Sequence, residues 1–107
     1  MTTTGLVLSG GGTRCIAQLG IIKALQEFDI VPTVFSGTSG GAAVSAFLSK
    51  GYTPEQITAI IRDSKLFEVK NFLFGKAGLF NMNLFERVIL EHFPENTFES
   101  LRHPVYV

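Results

Sequence analysis

Thr33-Val34-Phe35-Ser36-Gly37-Thr38-Ser39-Gly40-Gly41, followed by Ala42-Ala43-Val44-Ser45-Ala46-Phe47-Leu48, is the stretch on which the reading of this chain turns. Val34-Phe35 suits a short buried strand. Residues 42–48 are small or apolar almost all round, as a buried helix requires. Between them Gly37-Thr38-Ser39-Gly40-Gly41 fits G-x-S-x-G, the pattern of a nucleophile elbow when it joins a strand to a helix. A turn that lifts the serine Oγ above the sheet edge strains the backbone and leaves no space for neighbouring side chains, and Gly37 and Gly41 supply none. Ser39 is therefore the candidate nucleophile, with Gly37, Thr38, Gly40 and Gly41 as its elbow. The same five residues also read as a glycine-rich turn with Ser39 as a helix N-cap, and the pattern alone leaves both open.

Towards the N-terminus, Leu6-Val7-Leu8 is apolar on consecutive positions, which suits a parallel strand covered on both faces. Ser9-Gly10-Gly11-Gly12-Thr13-Arg14 breaks it. From Cys15 to Phe28, Leu19, Ile22, Leu25 and Phe28 recur at three-residue spacing while Gln18, Lys23, Gln26 and Glu27 are polar. That spacing predicts an amphipathic helix opening directly after the glycine loop. Pro32 lies in the connection to the strand before Ser39, so a strand, a helix and a second strand follow one another, and a right-handed βαβ unit is the favoured topology.

Towards the C-terminus, Gly51 ends the helix after Ser39. Thr53-Pro54-Glu55-Gln56 combines a capping threonine, proline at the first helical position and glutamine three residues after the cap, so a new helix carries Ile57, Ile60 and Ile61. Between Lys65 and Phe80 the periodicity is lost. Phe67, Phe72, Phe74 and Phe80 there read either as core or as a mobile cap or membrane-contacting patch. Asn83-Leu84-Phe85-Glu86 restarts a helix with a box-like cap, running to about His92 before Pro94. Thr97–Leu101 reads as a short turn and Pro104–Val107 as the start of a third strand. The expected fold is α/β, an open, mainly parallel sheet flanked by helices. Residues 1–107 read as the N-terminal part of a single domain.

Composition limits what such a serine does. The chain has 107 residues, 46% of them apolar, with a mean hydropathy of +0.31, enough for a core. Nine basic and nine acidic residues are interspersed, so neither a nucleic-acid footprint nor a polybasic membrane stripe is expected. The single Cys15 excludes an internal disulfide framework. His92 and His103 are isolated and no carboxylate cluster has ligand spacing, so no metal and no cofactor are implied. Met1–Gly5 has no signal-peptide character, and no apolar run nears the ~20 residues of a membrane span. A cytoplasmic or peripheral-membrane location is expected.

Two glycine-rich loops, each between a strand and a helix, converge where open α/β sheets bind ligands, beyond the carboxyl ends of their strands. When Ser39 attacks an ester carbonyl the oxygen gains negative charge, and backbone N–H groups must already point at it. Removing one such donor typically costs ~3 kcal/mol of transition-state stabilisation. Gly10, Gly11 and Gly12 can supply those donors, aided by the positive end of the following helix.

Leu6–Arg14, the helix after it and Gly37–Gly41 resemble the patatin-like phospholipase family of lipid acyl hydrolases. Gly78-Leu79-Phe80 and the segment from Thr97 to Val107 resemble the family's middle region, so the likeness spans essentially the whole chain. The resemblance implies a three-layer α/β/α fold, a lipid ester as substrate, and transient contact with a membrane surface. It implies a Ser-Asp dyad, with Ser39 as nucleophile and, as base, an aspartate in an Asp-Gly-Gly or Asp-Gly-Ala motif farther along. It also implies that Gly10, Gly11, Gly12 and Arg14 form the oxyanion site.

Two departures stand out. Where the family's loop usually ends in glycine this chain has Cys15, and the only aspartates, Asp29 and Asp63, precede Ile30 and Ser64, not glycine. The dyad base is expected beyond residue 107, and residues 1–107 alone are expected not to be a competent hydrolase, because a serine without a positioned proton acceptor is a poor nucleophile. His92 suits a helix C-terminus, His103 a surface loop and Asp63 a solvated helix face. Two rival readings remain. A nucleotide- or phosphate-binding module would need glycine at Cys15 for G-x-G-x-x-G and an acidic residue ending the second strand. An inactive fragment acting only in binding needs neither.

Overall fold

The computed structural model describes residues 3–64 and 82–107. Its elements, in chain order, are strand β1 (Gly5–Leu8), a 3₁₀ turn (Gly12–Cys15), helix α1 (Ile16–Glu27), strand β2 (Val34–Gly37) and helix α2 (Gly40–Lys50). Helices α3 (Pro54–Ser64) and α4 (Met82–His92), a 3₁₀ turn (Phe98–Ser100) and strand β3 (Val105–Tyr106) follow. The expected cap at Phe72 and Phe74 lies outside the described residues.

The strands form one open sheet in the order β1-β2-β3, and both pairings are parallel. Leu6 is opposite Phe35, which is opposite Val105; in the next row Val7 is opposite Ser36, which is opposite Tyr106. A strand order that follows the sequence makes both crossovers step the same way. Because such crossovers are right-handed, the helices fall on one face of the sheet. That face carries Leu8 and Phe35, which join Leu19 and Ile22 of α1, Val44, Phe47 and Leu48 of α2, Ile57 of α3, and Phe93 in a single core.

This arrangement corrects the two-sided burial expected for the first strand. Side chains alternate along a strand, so Val7 and Tyr106 point away from the helices and stand 80% and 64% exposed. Among the described residues no helix covers them, and any second helical layer of a three-layer fold lies outside these residues.

The local chemistry accounts for the element ends. Thr53 Oγ1 accepts from the Gln56 N–H at 3.1 Å while Gln56 Oε1 accepts from the Thr53 N–H at 2.8 Å, a complete capping box ahead of α3. Gly51 closes α2 at φ 100°, a left-handed conformation that costs glycine little. Helix α1 stops at Glu27, so Phe28 is its C-cap and, at 77% exposure, drops out of the apolar stripe to which its spacing assigned it. Helix α4 begins at Met82, which puts Asn83 inside the first turn and not at the cap.

Two polar contacts bring β3 to the sheet. Ser49 Oγ donates to the His103 carbonyl at 2.5 Å and accepts from the His103 N–H at 3.1 Å. That fixes the chain one residue before Pro104, whose carbonyl accepts from the Phe35 N–H at 2.9 Å. On the opposite flank, exposed Lys23 of α1 and Glu55 of α3 pair at 3.0 Å. Their mutual hydrogen bond holds the carboxyl below and the ammonium above their ordinary pKa ranges.

Ile57, 1% exposed, is the point at which α3 enters the core. Ile57→Ala is expected to cost about 3 kcal/mol through lost burial and the cavity left behind. A denaturation midpoint shifted at unchanged m-value is the measurement that checks it.

Candidate active site

Ser39 sits two residues past the end of β2 and directly before the first residue of α2, and its backbone is the most informative feature of the site. At φ 55° and ψ −124° it occupies a conformation that side-chain-bearing residues avoid. Holding a serine there costs of order 1–3 kcal/mol and requires the surroundings to over-determine it. Those surroundings are backbone contacts. The Thr38 N–H donates to the Leu8 carbonyl at 3.1 Å, which ties the elbow to the end of β1. The Gly41 N–H donates to Thr38 O and the Ala42 N–H to Ser39 O, both at 2.9 Å, so the helix starts immediately.

Close approach explains the flanking glycines. A Cβ on Gly41 would lie 2.6 Å from the Ser9 carbonyl oxygen and 2.8 Å from the Leu8 carbonyl carbon, and one on Gly37 would lie 2.6 Å from the Ala42 nitrogen. Neither position has space for a side chain. The first turn of α2 thus lies directly on the end of β1, and the glycine loop leaving β1 runs beside Ser39. At Gly10 a Cβ would be 3.1 Å from Ser39 Cβ, 3.3 Å from the Thr38 carbonyl oxygen and 3.8 Å from Ser39 Oγ. The two loops converge at one exposed point.

The serine makes no side-chain cap bond to α2, which argues against the plain N-cap reading. Its side chain is exposed at the positive end of an eleven-residue helix, where a developing anion is stabilised. Among the described residues, the backbone N–H groups of Gly10 and Gly11 donate to no protein acceptor. Arg14 is exposed on the 3₁₀ turn, and its N–H donates to Gly11 O at 3.1 Å, closing the loop.

The remaining candidates find partners elsewhere. His92 Nδ1 is 3.0 Å from Tyr52 Oη, and its ring packs edge-on against Phe47. His103 is held through its backbone by Ser49, and its ring is tilted against that of Phe35 with centroids 6.2 Å apart. Asp63 pairs with its neighbour Arg62 at 3.2 Å on an exposed face, and Asp29 makes a turn at φ 57°. Cys15 is buried, with Sγ 3.7 Å from the Ser9 carbonyl oxygen. Among the described residues no group of His, Cys, Asp or Glu is placed to hold a metal ion, and no helix is long and apolar enough to cross a membrane.

One contact at the site escaped the sequence reading. Gln18 Nε2 donates to the Ser9 carbonyl at 2.8 Å. The signal was present, because Gln18 precedes Ile22 by four residues and Leu25 by seven, which places a polar side chain on the apolar stripe of α1.

The chain is similar to known proteins in sequence and in fold. The family model for patatin-like phospholipase matches residues 6–106. Triacylglycerol lipase 4 of Saccharomyces cerevisiae is 46% identical over 52 residues, 49% of this chain and 6% of that protein. Lysophospholipase NTE1 of Chaetomium globosum is 50% identical over 48 residues, 45% of this chain and 3% of that protein. The chain therefore spans only a small part of the curated relatives it matches. The crystal structure of full-length SpcU in complex with full-length ExoU, from the type III secretion system of Pseudomonas aeruginosa, aligns over 92% of this chain and 20% of that one. The TM-score is 0.50 at 26% identity.

Proposed function

The chain belongs to the patatin-like phospholipase family, and from that premise we propose that it carries the nucleophile and the oxyanion loop of a lipid ester hydrolase. In this reading Ser39 Oγ attacks the ester carbonyl of a lipid presented at a membrane surface. Its proton passes to an aspartate base that residues 1–107 do not supply. The carbonyl oxygen, now an anion, is received by the N–H groups of Gly10, Gly11 and Gly12 with the positive end of α2 behind Ser39. Arg14 adds charge at the edge of the loop. Collapse of the tetrahedral intermediate expels the alcohol, which takes the proton from the base; water, deprotonated by the same base, then attacks the acyl-serine, and the fatty acid leaves as Ser39 regains its proton.

The observation that carries the proposal is the strained, exposed Ser39 lying against the backbone of Gly10. Strain of this kind persists where something other than stability keeps it. A solvated N-cap serine has no need of it.

A fluorophosphonate probe tests the reading on the protein at its full natural length. Covalent labelling that maps to the Ser39 peptide is expected. An unlabelled, folded protein would instead favour the reading in which the chain only binds, and saturable specific binding of NAD or ATP would favour a nucleotide module.

A further inference from the structure

Gln18 lies in the first turn of α1, outside the two loops assigned to chemistry, yet its side chain reaches back nine residues to the carbonyl of Ser9. Ser9 is the residue from which the glycine loop departs. Its carbonyl accepts from Gln18 Nε2 at 2.8 Å and lies 3.7 Å from the Cys15 thiol, a much weaker donor. The Ser9 carbonyl and the Gly10 N–H belong to one rigid planar peptide unit and point in opposite directions. Whatever holds the oxygen therefore also sets the direction of the N–H of Gly10, the residue at which the loop meets Ser39.

A second feature separates Gln18 from ordinary packing. Its Oε1 is buried with no hydrogen-bond partner among the described residues, so the amide costs folding free energy that an apolar side chain of the same length would not. The side chain thus weakens the apolar face on which it sits while making one contact, to the start of the loop.

We propose that Gln18 is a positioning residue for the oxyanion loop: its donation to the Ser9 carbonyl tilts the Ser9–Gly10 peptide so that the Gly10 N–H is held in place for the developing anion. The proposal rests on the function proposed above. Gln18 touches no substrate atom, and its effect passes entirely through the Ser9–Gly10 peptide. Glycine residues make this support necessary, because Gly10, Gly11 and Gly12 have no side chains to restrain their own backbone.

The test compares fluorophosphonate labelling of Ser39 in the unmodified protein, Gln18→Met and Gln18→Glu, all at full natural length. In that reaction Ser39 Oγ forms the P–O bond, fluoride leaves, the hydroxyl proton goes to the base, and the phosphoryl oxygen occupies the oxyanion position. Gln18→Met is expected to label about ten-fold more slowly, a fraction of the loss that deleting an oxyanion donor outright produces. Its thermal midpoint is expected to be equal or higher, because the unpartnered amide oxygen is gone. Gln18→Glu adds a pH signature. An ionised carboxylate has no proton to donate to Ser9 O, whereas the protonated acid has one, so its rate relative to the unmodified protein should rise as the pH falls from about 7 to about 4, through the ordinary glutamate range. Structural damage would leave that ratio independent of pH. Labelling of Gln18→Met at the unmodified rate, or a loss that merely follows a fall in stability, overturns the positioning role while leaving Ser39 intact as nucleophile. No labelling of the unmodified protein, or labelling that survives Ser39→Ala, overturns the parent reading and the inference with it.

Discussion

Ser39→Ala is expected to lower ester hydrolysis by about four orders of magnitude or more, since removing the nucleophile of a serine hydrolase leaves only the residual catalysis of binding and oxyanion stabilisation. The measurement is kcat on a chromogenic fatty-acyl ester with the protein at full natural length. A companion substitution separates chemistry from folding. Alanine still carries a Cβ, so Ser39→Ala keeps the backbone strain at φ 55° and should leave stability nearly unchanged. Glycine has no such penalty at positive φ, and Ser39→Gly is expected to be equally inactive yet more stable by about 1 kcal/mol, the relieved strain less the entropy that glycine adds to the unfolded chain. A serine whose replacement by glycine strengthens the fold is one retained for its hydroxyl. Ser39→Ala that keeps hydrolytic activity, or Ser39→Gly that weakens the fold, would contradict this account.

The largest expected loss of stability is at Gly41. Its missing Cβ is what allows α2 to start against the end of β1, where the Ser9 oxygen and the Leu8 carbonyl carbon lie 2.6 and 2.8 Å from where that atom would be. Both are backbone atoms, one of the last residue of paired β1 and one of the residue that follows it, so neither gives way by a rotamer change. Gly41→Ala must separate α2 from β1, and it is expected to cost about 3 kcal/mol or more, the upper range for overpacking a close-packed contact. In a domain of this size that lowers the melting temperature by about 10 °C or more. Ser39 labelling should fall as well, since the elbow and the glycine loop are held together at the same contact. Gly20→Ala is the control. That glycine is inside α1 with nothing within 4 Å of its missing Cβ, and alanine there should stabilise by about 0.5–1 kcal/mol through helix propensity alone. Equal effects at Gly20 and Gly41 would show that contact geometry is not what makes Gly41 a glycine.

Much of the architecture was legible because it is written locally. The Thr53–Gln56 capping box and the glycine ending α2 each depend on residues within a few positions of one another, and the succession of strand, helix and strand follows from three such local patterns. Local pattern misleads where the end of an element, or what packs against it, decides burial. Phe28 fits the three-residue spacing of α1 but falls one residue past its end. Leu6-Val7-Leu8 has the composition of a strand covered on both faces, yet the helices of residues 3–64 and 82–107 lie on one side only, and Val7 is exposed. Spacing puts Gln18 in line with Ile22 and Leu25, but only the fold shows that a carbonyl nine residues earlier lies over it.

What the amino-acid order determined by itself was the kind of site: a serine between glycines after an apolar strand, and a second glycine run after another, are statements about where side chains must be absent. Steric exclusion of that kind acts between near neighbours and can be read without coordinates. The tertiary structure alone decided that Ser39 is held at positive φ with its hydroxyl exposed, that Gly10 lies against it, and that Gln18 holds the peptide between β1 and the glycine loop. Each of these depends on parallel pairing of β1 with β2, which brings residues about thirty positions apart into contact and which no local preference specifies.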